Sequence, residues 1–510
     1  MSPGPSRLGP GFSTWIRDDP ETREAIVKGK EVEVELTSYA QNDFMLEFLM
    51  GSGLWEVLVS LRPAKLRKEN GKPWRALNGL EVLRELTRVE RIAQCGRVIA
   101  DTRLMIVAGF NAAEIRRSQR RKGLLLSPET LSNHLARMRP PAVLDAFYKH
   151  VELLRERKWI GRGVYAADAH EITFPHARGW PGMGQVGEAH GYKLLVLAQV
   201  SPGGERVAGF ALAPLYVSEH RLLKIVLRQL EERVCPVRKL IDVLVLDRGY
   251  WGAEFLLGLR ELYDLHFVTR AQHSGLQVVK DVEGLLRQKE LAGPGVQVGE
   301  ERSRLGKILV KLWGFDGVPL FGEKDREVGK ANVVVADEFD EKGQPLVDPE
   351  GKTRRIHYVT SLPARGTPYE VRKYYLQRWT IENQGFRNLT QRWSLDIPPG
   401  RNFSSIMARI FFVLVLANAE SVLEELFPGP WQQERRRLGK LGVPGLVGGE
   451  PGVAAYTQQG QLGIMTTKEY GALIAARERA LLFEELRRAQ ARGEGIEDVL
   501  RRLAPPEGKP

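Results

Sequence analysis

The chain has 510 residues, 43% of them hydrophobic and 27% charged, a length that favours several domains and a composition that excludes wholesale disorder. Lysine and arginine outnumber aspartate and glutamate by 75 to 63, a formal net charge of +12, so the summed field attracts a polyanion such as DNA, RNA or an anionic membrane surface. Only Cys95 and Cys235 are present, far apart and outside any metal-ligand spacing, which excludes a disulfide framework and a cysteine-based zinc site.

Residues 1–150 read as a helical N-terminal region with a DNA-binding role. From Phe44 onward apolar residues recur at helical spacing, as in Leu80, Leu83, Leu86 and Val89. Arg116, Arg117, Arg120, Arg121 and Lys122 then form a basic run, followed by a Gly-containing turn and SPETLSNHLARM. Ser127 suits the cap of that second helix and Pro128 its first position. With Leu131, Leu135 and Met138 inward, Asn133, His134 and Arg137 face outward, the outline of a helix-turn-helix reading head. A basic solvated helix pair has the same pattern.

From Gly163 the texture becomes β-rich: GVYAAD, YKLLVLAQV and RVAGFALA read as three adjacent strands. A helix follows over 219–234, then IDVLVLD, apolar enough to be buried on both faces of a sheet, then a helix over 253–263 and the strand LHFVTR. This order predicts an α/β fold, a ribonuclease-H-like mixed sheet with helices on both faces. The first part of that core occupies 151–270. Residues 271–355, rich in Gly, Asp, Glu and Lys, read as an inserted β-rich domain. The second part, 356–430, holds the strand IHYVTSL, a strongly helical stretch over 370–393 and an apolar helix over 405–426. Residues 431–510 read as a C-terminal helical appendix, and no internal repeat is visible.

Asp168 closes the first strand run and Asp247 the fourth, so both carboxylates are expected side by side at one edge of the sheet. Hard cations such as Mg²⁺ prefer oxygen ligands, and a carboxylate-bridged pair of them serves in-line phosphoryl displacement. A lone Asp at a strand end is usually a turn residue, so a third acid is needed. YYLQRWTIENQGF supplies one: on a regular helix Tyr375, Arg378 and Glu382 share a face, which Phe386, Leu389 and Trp393 extend as an apolar stripe. If this helix stood alone, the better reading would be Arg378 and Glu382 as a self-satisfied pair.

YAADAHEI, VLVLDRGYWG and Tyr-x2-Arg-x3-Glu, in that order, resemble the DDE transposases of bacterial insertion sequences, in particular the insertion-sequence-four type with its Tyr-x2-Arg-x3-Glu-x6-Lys signature. The resemblance runs over 163–427 and includes HGYKLLVLAQV and the DRGY run. It implies that Asp168, Asp247 and Glu382 are catalytic and bind two Mg²⁺ ions, for which Mn²⁺ substitutes. It implies DNA contacts from Tyr375, Arg378, Arg248 and Lys193, a base stacked on Trp313 of the inserted domain, and a homodimer on paired ends of double-stranded DNA, the terminal repeats, with a second duplex as target. The signature Lys falls at Leu389, next to Thr390, which leaves that basic contact to Arg387 or Arg392, or absent. His170, following the first Asp closely, reads as a hydrogen-bonding residue.

Other leads fall away on context. GMGQVG has the glycine spacing of a dinucleotide loop, but neither a strand before it nor a helix start after it, and GEKDREVGKA is no Walker sequence, so no nucleotide cofactor is expected. His170, His176, His190 and His220 lack zinc spacing. The opening MSPGPSRLGPG has no signal-peptide pattern and the apolar run 410–417 is too short to span a bilayer, so the expectation is a cytoplasmic, nucleoid-associated bacterial protein without a membrane partner.

Overall fold

The computed structural model describes residues 15–17, 20–37, 43–64, 72–121, 123–174, 179–201, 204–273, 275–303, 306–322, 326–347, 351, 354–378, 381–428, 452–457, 462–495 and 497–499. The chain divides into two compact units, one from Met1–Ser60, Leu66–His134 and Pro428–Pro510, the other from Leu61–Lys65 and Leu135–Phe427.

The first unit joins the two ends of the chain. Helices fill most of 43–120, as the periodicity predicts. The sequence reading missed a four-stranded sheet in which Glu31–Thr37 pairs antiparallel with Gly452–Thr457, that strand with Leu462–Thr466, and the last in parallel with Trp15–Arg17. EVEVELT alternates as a half-buried strand should, but its partner lies more than 400 positions away. Residues 431–510 are therefore no separate appendix: their described strands complete the N-terminal unit. Within the helix Trp74–Leu86, the fully buried Arg84 binds Glu81 (Nη2 to Oε1 2.7 Å) and Glu85. Burial works against its charge, but the two carboxylates raise its pKa above the ordinary value.

The second unit is built on a ten-stranded sheet. Gly163–Thr173, Ala189–Ser201 and Gly204–Pro214, expected as three adjacent strands, form an antiparallel meander, with the short strand Gly184–Val186 also on Ala189–Ser201. On its other side Gly163–Thr173 pairs in parallel with Ile241–Leu246, which pairs in parallel with His266–Arg270. Helices cover both faces. Gly209 meets Val226 of the helix Glu219–Arg233 so closely that a Cβ would overlap it, while the next residue, Phe210, packs edge-on against Phe147 of the helix Pro140–Glu156 at 4.8 Å.

Residues 271–355 differ from the expected inserted domain. They begin with the helices Gln277–Arg287 and Lys289–Ala292, and their strands Val296–Ser303, Gly306–Phe321 and Glu327–Phe339 continue the same sheet. The link is Arg355–Thr360, antiparallel to Glu327–Phe339 on one side and to His266–Arg270 on the other. The backbone ladder thus passes through without a break, and composition gives no sign of it.

The helix Phe403–Leu426 is long and apolar enough to cross a membrane, but 89% of its most apolar window is buried inside the protein. Asn418 anchors it. Its Oδ1 accepts from Val207 N (2.7 Å), and its Nδ2 donates to Val207 O (2.8 Å) and to His150 Nε2 (3.0 Å). Burial lowers the pKa of His150 to about 3, so the ring stays a neutral acceptor. Asn418→Ala leaves three buried polar groups without their partner, and we expect a loss of about 2–4 kcal/mol in urea unfolding of the full chain. A loss below about 0.5 kcal/mol, the usual range of a surface change, contradicts this.

Candidate active site

The site starts from strand register. Gly163–Thr173 and Ile241–Leu246 run parallel with Ala166 opposite Val245 and Ala167 opposite Leu246. The next pair in that register is Asp168 and Asp247. The first strand does not end at Asp168, as the sequence suggested, but continues to Thr173 against Ala189–Ser201; what ends at Ala167 is its pairing with the Asp247 strand. Beyond it, Arg248–Tyr250 turns in a short 3-10 helix with Tyr250 N on Asp247 O (3.0 Å), and Thr269 Oγ1 donates to the same carbonyl (3.2 Å). A rigid sheet edge thus holds both aspartates, each half-buried.

The helix Pro368–Gln377 brings Tyr375 and Arg378 to this edge. Arg378, 4% exposed, places Nη2 3.7 Å from Asp247 Oδ1 and its guanidinium 5.5 Å from the Tyr375 ring centre, which lies 5.0 Å from that of Tyr358. The regular helix does not continue to Trp393 as expected. Ile381–Phe386 is a π-helical turn, and Arg387–Gln391 resumes the α-helix. Such turns shift the side-chain register, so the simple i, i+3, i+7 spacing of one regular helix does not apply across Ile381–Phe386. The apolar stripe survives, with Phe386, Leu389 and Trp393 buried.

The side chain of Glu382 lies outside the described residues. Its turn is placed by its neighbours. Phe386 stacks on His170, two residues beyond Asp168, with centroids 5.3 Å apart, and His170 Nε2 lies 2.8 Å from Asp396 Oδ1. Gly385 lies so close to Glu205 that a Cβ there would overlap the carboxylate. The turn carrying Glu382 therefore packs on the Asp168 strand, and His170 makes the hydrogen bond expected of it.

Two acids missed in the sequence add to the electrostatics. Burial, and then the charge of Asp168, push the pKa of Glu205 up to about 8. Burial also raises the pKa of Glu219, against the nearby Lys193 and with the nearby Asp247. Nothing in the sequence separates Glu219 from an ordinary first-turn acid behind the Ser218 cap. Among the described residues no group of three or more His, Cys, Asp or Glu is arranged to hold a metal ion. The two adjacent aspartates nevertheless offer only oxygen donors, which fits Mg²⁺ or Mn²⁺ rather than a softer metal.

The other sequence candidates distribute as follows. Arg248 and Arg387 are exposed, and Arg387 Nε donates to Gln391 Oε1 (3.1 Å). Arg392 is paired with Glu420, 4% exposed on its side chain, which leaves Arg387 as the exposed base beside the buried Leu389. Thr390 Oγ1 donates to Phe386 O (2.9 Å). Lys193 lies 3.7 Å from Glu171. Trp313 lies in the wall of a cleft of about 800 Å³ with Glu283, Arg287, Lys311 and Arg355, and Lys311 Nζ is 5.1 Å from its ring centre. In the N-terminal region Arg117, Arg120, Arg121, Asn133 and Arg137 are exposed and Arg116 half-buried, whereas Lys122 lies outside the described residues. His134 corrects the sequence reading: it is 5% exposed, with Nε2 2.8 Å from Asn78 Oδ1, so it braces the helix instead of facing outward.

The transposase DDE domain family model matches residues 159–419. No curated protein matches the sequence. A cryo-EM structure of the piggyBac transposase synaptic complex with hairpin DNA matches over 94% of this chain and 89% of that chain, at 10% sequence identity and a TM-score of 0.36.

Glu205 gives a stability prediction. The folded chain keeps its proton up to about pH 8 while the unfolded chain releases it near the ordinary value of 4.5, so this group lowers stability as pH rises between the two. Glu205→Gln should gain nothing at pH 4.5 and about 1.4 kcal/mol per pH unit above it, up to pH 8, in urea unfolding. A gain independent of pH contradicts the assignment.

Proposed function

The chain belongs to the family of transposase DDE domains, and from that membership we propose that it is a cut-and-paste DNA transposase in which Asp168, Asp247 and Glu382 hold two divalent cations at the edge of the sheet. The observation that carries this reading is the parallel register ending at Ala167 and Leu246, which makes Asp168 and Asp247 neighbours on a rigid edge. Bound there, the cations supply activation of a nucleophile and charge neutralisation at the leaving oxygen of a phosphodiester.

The chain's own residues orient the DNA. Arg378, held by Asp247 and the Tyr375 ring, presents a fixed cation to a phosphate beside the scissile bond. Arg248 and Arg387 extend the positive surface, Arg387 in place of the signature Lys. Arg117, Arg120, Arg121, Asn133 and Arg137 are the exposed residues through which the N-terminal region would recognise terminal repeats. Trp313 has an aromatic face and a lysine beside it, which suits stacking of an unpaired base. The protein would act as a homodimer on paired ends, at the nucleoid, with target DNA as its second substrate.

The test is incubation of the purified chain with a plasmid carrying the element's ends, with Mg²⁺ or Mn²⁺, beside Asp168→Asn and Asp247→Asn. We expect divalent-dependent nicking and joined products, both reduced at least about 100-fold in either variant. Nicking without joining would make the protein a hydrolytic nuclease. No nicking, or nicking indifferent to both substitutions, overturns the catalytic reading.

A further inference from the structure

His170 stands two residues beyond Asp168 on a strand whose pairing with Ala189–Ser201 runs without a bulge from Tyr165 to Thr173, so both side chains leave the same face of the sheet. Its imidazole meets the segment that follows Glu382 at two points. The ring stacks on Phe386, the last residue of the π-helical turn, with centroids 5.3 Å apart and planes 26° from parallel. A carboxylate only accepts, so Nε2 donates to Asp396 Oδ1, at 2.8 Å. Both contacts have a fixed footing. Phe386 is buried beside Leu389 and Trp393. Asp396 sits in a turn tied by Leu395 N on Leu389 O and Ile397 N on Ser394 O, both 3.0 Å, and by Arg409 Nη1 donating to Ile397 O. Within that turn Ser394 takes a left-handed backbone at φ 48°, which a residue other than glycine holds only where its surroundings impose it.

A cation ligand works only if its backbone is held within about 0.5 Å of the productive place, and that precision comes from the packing and hydrogen bonds of the residues behind it. A stacked pair alone permits sliding along the ring plane. A second, directional bond to Asp396, in the turn beyond the helix Arg387–Gln391, removes that freedom. We propose that His170 is a positioning residue: by stacking on Phe386 and binding Asp396 it locks the turn Ile381–Phe386 to the strand of Asp168, and so sets the separation at which Glu382 and Asp168 share a cation. This rests on the proposed role of the three acids. It adds the device that couples the third acid to the first.

The full chain is followed by Mg²⁺ titration of plasmid nicking, by amide hydrogen exchange and by urea unfolding. A purely structural contact changes how much protein is folded, hence the maximal rate; a positioning contact changes the Mg²⁺ concentration at half-maximal rate. For His170→Ala we expect that concentration to rise about tenfold and exchange over 381–396 to quicken about tenfold, with exchange in Ile241–Leu246 and the urea midpoint unchanged. His170→Phe and Asp396→Ala keep the stack and lose the bond, so each should show part of the rise, and the double variant should exceed neither. Asp396→Asn keeps an oxygen acceptor and should recover most of the parent's behaviour. A parent-like Mg²⁺ requirement in His170→Ala, while Glu382→Gln loses nicking, overturns the inference and leaves the catalytic reading intact. A lower maximal rate at an unchanged requirement, or a rise accompanied by faster exchange in Ile241–Leu246, also overturns it, since both are lost packing. Absence of nicking by the parent removes the inference and the catalytic reading together.

Discussion

One register between two parallel strands makes Asp168 and Asp247 neighbours in the second unit. Ala167 opposite Leu246 makes the following residues, Asp168 and Asp247, adjacent, and a slip of one residue would turn one carboxylate to the opposite face. The register is secured on all sides. The Asp168 strand is paired along its length with Ala189–Ser201, the Asp247 strand with His266–Arg270, and the apolar runs of both are buried. A core strand position is therefore used to fix charges that, without compensation, would repel one another.

That compensation shapes the rest of the site. Arg378 is nearly buried and reaches Asp247, Lys193 lies beside Glu171 and Glu219, and the more buried carboxylate of Glu205 stays protonated. Half-buried acids without such compensation are costly to desolvate. The π-helical turn at Ile381–Phe386 fits the same economy of space. It packs Phe386 on His170 and brings Gly385 against Glu205, where an added Cβ would displace the carboxylate.

Much of this was legible in local pattern. The three adjacent strands, the apolar strand before Asp247 and the buried stripe of Phe386, Leu389 and Trp393 all follow from periodicity. What escaped depends on partners distant in sequence. The strands of 296–339 join the main sheet because Arg355–Thr360 bridges them to His266–Arg270, and strands from the N-terminal and C-terminal parts of the chain share a sheet because Gly452–Thr457 lies beside Glu31–Thr37. His134 was assigned outward by helical period, but Asn78 gives it a buried hydrogen bond. Glu205 and Glu219 carry no local mark at all; only burial beside Asp168 and Asp247 distinguishes them.

The central claim is that three acids remote in sequence converge on one cation site. A crystal structure of the full chain soaked in Mn²⁺, with anomalous scattering recorded, tests it most directly. The account predicts an anomalous peak between the carboxylates of Asp168 and Asp247 with Glu382 as a further ligand. Mn²⁺ bound elsewhere, or a Glu382 carboxylate out of reach of a cation held by the two aspartates, would contradict it.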